Sequence, residues 1–223
     1  MTAALIIPAS GMGSRMGEDK LFAEVAGRPI LAHTLAAAAR SGAFARTVIA
    51  APPERHALIR ELAEREGVVD LVLTTGGERR QDSVRGALEE AGDVEVVAVH
   101  DAARPLCPPQ LFVDCVQAAR RHGAATTAIP VVDSIKRVVD GVVLQSLDRG
   151  DLYAIQTPQA FRRGLLVDGH RHAVASGMVV DDDAALIEAL GRPVHIVPGS
   201  PDNFKVTYPR DLVLLRALLA ARE

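Results

Sequence analysis

Short apolar runs alternate with segments of helical period along most of the chain. Ala3–Pro8, Thr47–Ala51, Leu71–Thr74, Val94–His100 and Thr126–Val131 are rich in Val and Ile and apolar on both faces, as buried parallel strands are. Between them, Ile30–Arg40, Glu54–Glu66, Gln81–Ala91 and Gln110–His122 repeat apolar residues every three or four positions. Pro29, Pro53 and Pro109 stand where these helices begin. Strand–helix alternation of this kind requires right-handed crossovers. The predicted fold class is therefore α/β, with a doubly wound, mainly parallel sheet.

After Pro130 the rhythm changes. Ser134–Val139, Asp140-Gly141 and Val142–Leu147 read as a β-hairpin, because Asp-Gly between two apolar stretches signals a type I′ turn. The inserted hairpin, about residues 132–150, reads as an arm for a partner or a lid, with a plain excursion as the bland alternative. Pro130, Thr157 and Pro158 read as turn formers. Helical patterns return at Gly164–Ser176 and Asp182–Leu190, followed by a strand at Val194–Val197. The last helix, Pro209–Arg222, carries Leu212, Leu215, Leu218 and Leu219 on one stripe. A length of 223 residues fits one domain spanning 1–223.

Composition removes several functions. The formal net charge is −3 and aromatics make up 3% with no Trp, so neither a basic field nor stacking platforms for nucleic acid are present. No apolar stretch is long enough for a membrane span. Met1–Ser10 has no positive run, and its apolar stretch stops at Pro8, so it reads as a first strand rather than a leader. Cys107 and Cys115 lack metal-ligand spacing and read as reduced residues of a cytoplasmic protein. Of 25 basic residues only Lys20, Lys136 and Lys205 are Lys. Some of these positions therefore call for a compact ammonium that a planar guanidinium does not replace.

The candidate chemistry sits where strands end. The first strand runs into Pro8-Ala9-Ser10-Gly11-Met12-Gly13-Ser14-Arg15-Met16-Gly17-Glu18-Asp19-Lys20, small residues that let backbone N–H groups approach phosphates. A dinucleotide fingerprint, and with it an NAD(P)-dependent oxidoreductase, fits poorly because Met16 takes the third glycine position. A P-loop lacks its Gly-Lys-Ser/Thr. A third reading adds Arg15 and Lys20 as cations for a triphosphate. Gly76-Gly77-Glu78-Arg79-Arg80-Gln81-Asp82-Ser83 follows another strand, where a simple strand–turn–helix cap is the ordinary reading. His100-Asp101-Ala102-Ala103-Arg104-Pro105 ends a third strand and places a carboxylate suited to a ribose hydroxyl or Mg²⁺. His100 reads as a buried, hydrogen-bonded histidine. Asp202–Thr207 reads as a short strand edge carrying Lys205. The acids Asp181–Asp183 read as the first turn of a helix in preference to a metal site.

The first loop resembles that of nucleotidyltransferases activating sugar and polyol phosphates. Together with GGERRQDSV (76–84), VHDAARP (99–105), PVVDSIKR (130–137), DR (148–149), TPQAF (157–161), DDDAALIEALG (181–191) and DNFKVTYPRDL (202–212), the whole chain resembles the 2-C-methyl-D-erythritol 4-phosphate cytidylyltransferase family. The resemblance implies a Rossmann-like nucleotidyltransferase fold and Mg²⁺-dependent transfer of CMP from CTP to a polyol phosphate. It implies catalytic roles for Arg15, Lys20, Lys205 and Arg149. It implies CTP binding by Pro8, Ala9, Ser10, Gly11, Gly13, Gly77, Glu78, Ser83, Asp101 and Ala102, with Asp101 near the metal. The acceptor would meet Arg104, Ser134, Arg149, Thr157 and Lys205, with the hairpin swapped across a homodimer. Glu78 and Ser134 stand where many members carry Asp and Thr and keep the functional group; Val180, for Thr, loses a hydroxyl. Ribitol 5-phosphate is the rival acceptor.

Overall fold

The computed structural model describes residues 2–11 and 20–222. In chain order the strands are β1 (Ala3–Pro8), β2 (Glu24–Val25), β3 (Arg28–Pro29), β4 (Arg46–Ala51), β5 (Leu71–Thr75), β6 (Val96–Val99), β7 (Ala124–Pro130), β8 (Lys136–Val139), β9 (Val142–Ser146), β10 (Tyr153–Arg162) and β11 (His195–Pro198). The helices are α1 (Ile30–Ser41), α2 (His56–Arg65), α3 (Arg80–Glu89), α4 (Pro109–His122), α5 (Arg163–Ser176), α6 (Ala184–Ala189) and α7 (Pro209–Ala220).

Seven strands form one sheet in the order β11-β7-β10-β6-β1-β4-β5. All neighbours pair parallel except β10, which runs antiparallel to both β6 and β7. Alternation along each strand divides the core. Leu5, Ile7, Ile49 and Ala98 face α1, α2, α4 and α7, whereas Ile6, Val48, Val97 and Val99 face α3, α5 and α6. Both faces being covered explains why these strands read as continuous apolar runs. The doubly wound, mainly parallel expectation holds.

Two expectations need correction. Thr157 and Pro158 do not form a turn; they lie inside β10, whose register shifts between Ile155 and Gln159. That irregularity accommodates a residue with no N–H to give to the ladder. Asp202–Thr207 is not a strand: it is irregular chain docked by Val206 N–H on Ala103 O at 2.9 Å.

The hairpin forms as expected. Val139 pairs with Val142, and Asp140 and Gly141 both have positive φ, at 49° and 78°. β8 and β9 form a separate two-stranded sheet. Val138, Val139, Val142, Val143 and Leu144 are all exposed on it.

Candidate functional site

The carboxyl ends of β1, β5 and β6 open on a cavity of about 360 Å³. Its wall contains Pro8, Ala9, Ser10 and Gly11 after β1, Gly77, Glu78, Arg80 and Ser83 after β5, and Asp101, Ala102 and Ala103 after β6. Lys20 and Lys205 also line it. The two glycine-bearing loops are stitched together by Ser10 Oγ, which lies 3.1 Å from Ser83 Oγ, while Ser83 Oγ accepts the Gly77 N–H at 3.0 Å. Such close approach dictates glycine at 76, where a Cβ would fall 1.5 Å from Ser10 Oγ.

Asp101 is the electrostatic centre. Its side chain is 9% exposed and meets three cations: Arg80 Nε at 3.1 Å on Oδ1, and Lys205 Nζ at 3.1 Å and Arg104 Nε at 3.3 Å on Oδ2. Burial works to raise its pKa, but Arg80, Lys205 and Arg104 together outweigh that and hold the carboxyl well below the usual range. Arg104 also donates from Nη1 to Asn203 O at 2.7 Å, fixing the segment that carries Lys205. Lys20 donates to Val206 O at 3.1 Å, so both lysines gather at residues 205–206.

Behind Asp101 lies a layer of polar side chains from β10. Thr157 Oγ1 accepts the Asp101 N–H at 2.9 Å and lies 3.0 Å from His100 Nδ1. His100 Nε2 lies 3.4 Å from Arg104 O, a carbonyl that only accepts, so in the neutral ring Nε2 carries the proton and Nδ1 accepts from Thr157 Oγ1. His100 is fully buried, and burial lowers its pKa to about 3, so the ring is neutral. Gln156 and Asn203 join the Lys205 segment to β10, with Asn203 Nδ2 donating to Gln156 Oε1 at 3.2 Å and to Thr157 O at 2.8 Å. Gln159 Oε1 accepts the N–H groups of Asp183 and Ala184 at 2.9 and 3.2 Å.

Among the described residues, no three His, Cys, Asp or Glu side chains gather to hold a metal ion. Both oxygens of Asp101, the metal candidate, are engaged by cations. This donor set does not fit a resident ion. Nor do Asp181–Asp183 form the first turn of α6: Asp183 stands at its N-cap, is 1% exposed and accepts from Arg80 Nη1 at 2.7 Å.

The profile of the 2-C-methyl-D-erythritol 4-phosphate cytidylyltransferase family matches residues 3–221. The chain belongs to this family. A family member from Pelotomaculum thermopropionicum is 43% identical over 226 residues, covering 99% of this chain and 95% of the relative. Another, from Bacillus mycoides, is 43% identical with 96% of each chain covered. Among solved structures, the cytidylyltransferase of Thermus thermophilus superposes with a TM-score of 0.82 at 36% identity, covering 99% of this chain and all of that one. A 4-diphosphocytidyl-2C-methyl-D-erythritol synthase from Anaerococcus prevotii gives 0.88 at 29% identity, with 98% of each covered.

The cavity gathers most of the residues that the cytidylyltransferase resemblance implicated: Pro8, Ala9, Ser10, Gly11, Lys20, Gly77, Glu78, Ser83, Asp101, Ala102 and Lys205. Gly13 and Arg15 lie outside the described residues. Four candidates do not line it. Arg104 is buried beneath it on Asp101, and Thr157 is 4% exposed with its hydroxyl turned to Asp101 N and His100. Ser134 and Arg149 stand exposed at the root of the hairpin, where Arg149 Nη1 donates to Val132 O. Sequence reasoning missed Arg80, Gln156, Gln159 and Asn203. For Arg80 a signal existed: it shares a helical face with Val84 and Ala87, both fully buried, so it points inward while Arg79 points out to Asp82.

Proposed function

We propose that this chain transfers CMP from CTP to 2-C-methyl-D-erythritol 4-phosphate, releasing pyrophosphate, as a step of isoprenoid precursor synthesis. The observation that carries this reading is the meeting of two small-residue loops, a charge-clamped aspartate and two lysines in one cavity. The acceptor phosphate forms a P–O bond to the α-phosphorus as the bond to the bridging oxygen breaks, and pyrophosphate leaves with that electron pair. An ionised phosphate needs no general base, so positioning and charge neutralisation dominate.

Lys20, Lys205 and Arg15 are assigned to the phosphates, and Lys205 swings between Asp101 and the α-phosphate. Ala9, Ser10, Gly77 and Ser83 frame the base, and Asp101 faces the ribose. Mg²⁺ belongs to the proposal as an ion carried on the phosphates of CTP, and no step here is routed through a protein-held metal.

The acceptor half is assigned to a second copy. A two-stranded ribbon exposing five valine and leucine side chains is poorly stable alone and asks to be covered. In a homodimer, Ser134 and Arg149 of one hairpin complete the site of the partner subunit. No helix among the described residues is long and apolar enough to cross a membrane. Two free, buried cysteines support a cytoplasmic location. The test is pyrophosphate release with CTP against each acceptor. Turnover is expected with the methylerythritol phosphate, and turnover with ribitol 5-phosphate alone overturns the reading.

A further inference from the structure

Arg80 opens α3 and joins two carboxylates that lie far apart in the chain. Its Nε reaches Asp101 Oδ1 at 3.1 Å and its Nη1 reaches Asp183 Oδ2 at 2.7 Å. Only a planar fork meets two carboxylates on adjacent edges in this way; a point charge serves one well. The side chain is 24% exposed and lines the cavity, so its bonds are sheltered from solvent screening.

Arg80 is not what holds the Asp183 segment in place. Gln159 Oε1 already accepts the N–H of Asp183 at 2.9 Å, and Gln81 bonds Val180 N and Met178 O at 3.0 and 3.2 Å. The contact that depends on Arg80 alone is the one to Asp101 Oδ1. The other oxygen, Oδ2, is shared by Lys205 and Arg104.

We propose that Arg80 is a positioning residue that clamps Asp101 Oδ1, so that Oδ2 is aimed at Lys205 and the ammonium is held at the reacting phosphates. Asp183 is the counter-ion that lets the guanidinium sit at this depth. When Lys205 moves to a phosphate, Arg80 and Arg104 keep Asp101 paired, and the ammonium leaves no unpaired charge behind. The proposal rests on the cytidylyltransferase reading for its kinetic consequence, though not for its geometry.

The test uses the full-length chain. Arg80→Met alone strands the buried Asp183 carboxylate and is expected to fold poorly. Arg80→Met/Asp183→Asn removes that penalty and is expected to keep the Tm of the parent. Its kcat should fall roughly 10- to 100-fold, the scale of misplacing a reacting group. Its KM for CTP should stay within about threefold, because a loss confined to the transition state leaves ground-state binding alone. Arg80→Lys should restore only part of kcat.

A second readout is independent of turnover. The chain has three lysines, so ¹⁵N-lysine labelling gives one ammonium signal each for Lys20, Lys136 and Lys205. In the double variant the Lys205 signal should shift while that of Lys136 stays. A double variant with parental kcat, or one whose Lys205 signal is unmoved, overturns the proposal. An inactive parent chain overturns the cytidylyltransferase reading instead, and the Lys205 signal still decides the role of Arg80.

Discussion

Thr157 Oγ1 takes the backbone N–H of Asp101 at 2.9 Å from the middle of a strand that runs against its neighbours. That bond sets the height at which Asp101 leaves the end of β6, and with it the carboxylate that Arg80, Arg104 and Lys205 share. Thr157→Val keeps the shape and removes both polar bonds, leaving a buried N–H and His100 Nδ1 unpaired. A loss of about 1–3 kcal/mol in urea unfolding is expected. A change below about 0.5 kcal/mol would show that neither bond matters.

Acid sensitivity follows from the same layer. Burial lowers the pKa of His100 from 6.5 to about 3, so between those values the unfolded chain binds a proton that the folded chain refuses. Stability therefore falls as pH drops through 6.5 and keeps falling towards 3. His100 alone should remove about 2 kcal/mol between pH 7 and pH 5. Buried His33 and His170, whose pKa values are lowered chiefly by burial, act in the same direction. His100→Gln should flatten the slope of unfolding free energy against pH by about this amount. An unchanged slope would refute the neutral, buried ring.

The three lysines are not equivalent. Lys20 and Lys205 reach residues at the cavity, whereas Lys136 Nζ donates to Ser146 Oγ at 2.6 Å on the exposed hairpin. Lys20→Arg and Lys205→Arg keep the charge and should still lower kcat by roughly 10-fold or more, because a planar fork does not follow the α-phosphate. Lys136→Arg should leave kcat unaltered. Steady-state rates of the three variants decide the point, and three parental rates would remove the argument for a compact ammonium.

The trans role proposed for Arg149 makes a prediction about mixtures. Arg149→Ala and Lys205→Ala chains should each be inactive. After mixing and re-pairing, one site in each heterodimer regains both residues. Random pairing then returns about a quarter of parental activity. Mixtures that stay inactive, or light scattering at the 23.6 kDa of one chain, place the hairpin back in its own subunit.

Much of this was legible in the sequence, for physical reasons. β1, β4, β5, β6 and β7 are covered on both faces, so their apolar runs survive any register. The loop after β5 was legible because close backbone approach excludes a Cβ, as at Gly76 and Gly77. β10 was not. Gln156, Thr157 and Gln159 point inward and are buried, which inverts the expected pattern, and Pro158 imitates a turn. Those buried polar residues pin Asp101, Asp183 and Asn203, so the strand hidden from periodicity is the scaffold of the site. Arg80 was easily overlooked for a related reason: in the run Glu78-Arg79-Arg80 a half-buried, paired guanidinium looks like one more surface charge, and only its helical spacing to Val84 and Ala87 marks it.

Cytidylyl transfer is assigned to the cavity at the ends of β1, β5 and β6. The deciding measurement is ³¹P NMR of CTP, Mg²⁺ and 2-C-methyl-D-erythritol 4-phosphate incubated with catalytic amounts of the chain. The expected result is a new diphosphate diester and free pyrophosphate in equal amounts, both lost with Lys205→Ala. Unchanged CTP, or phosphate release with no diester, would contradict it.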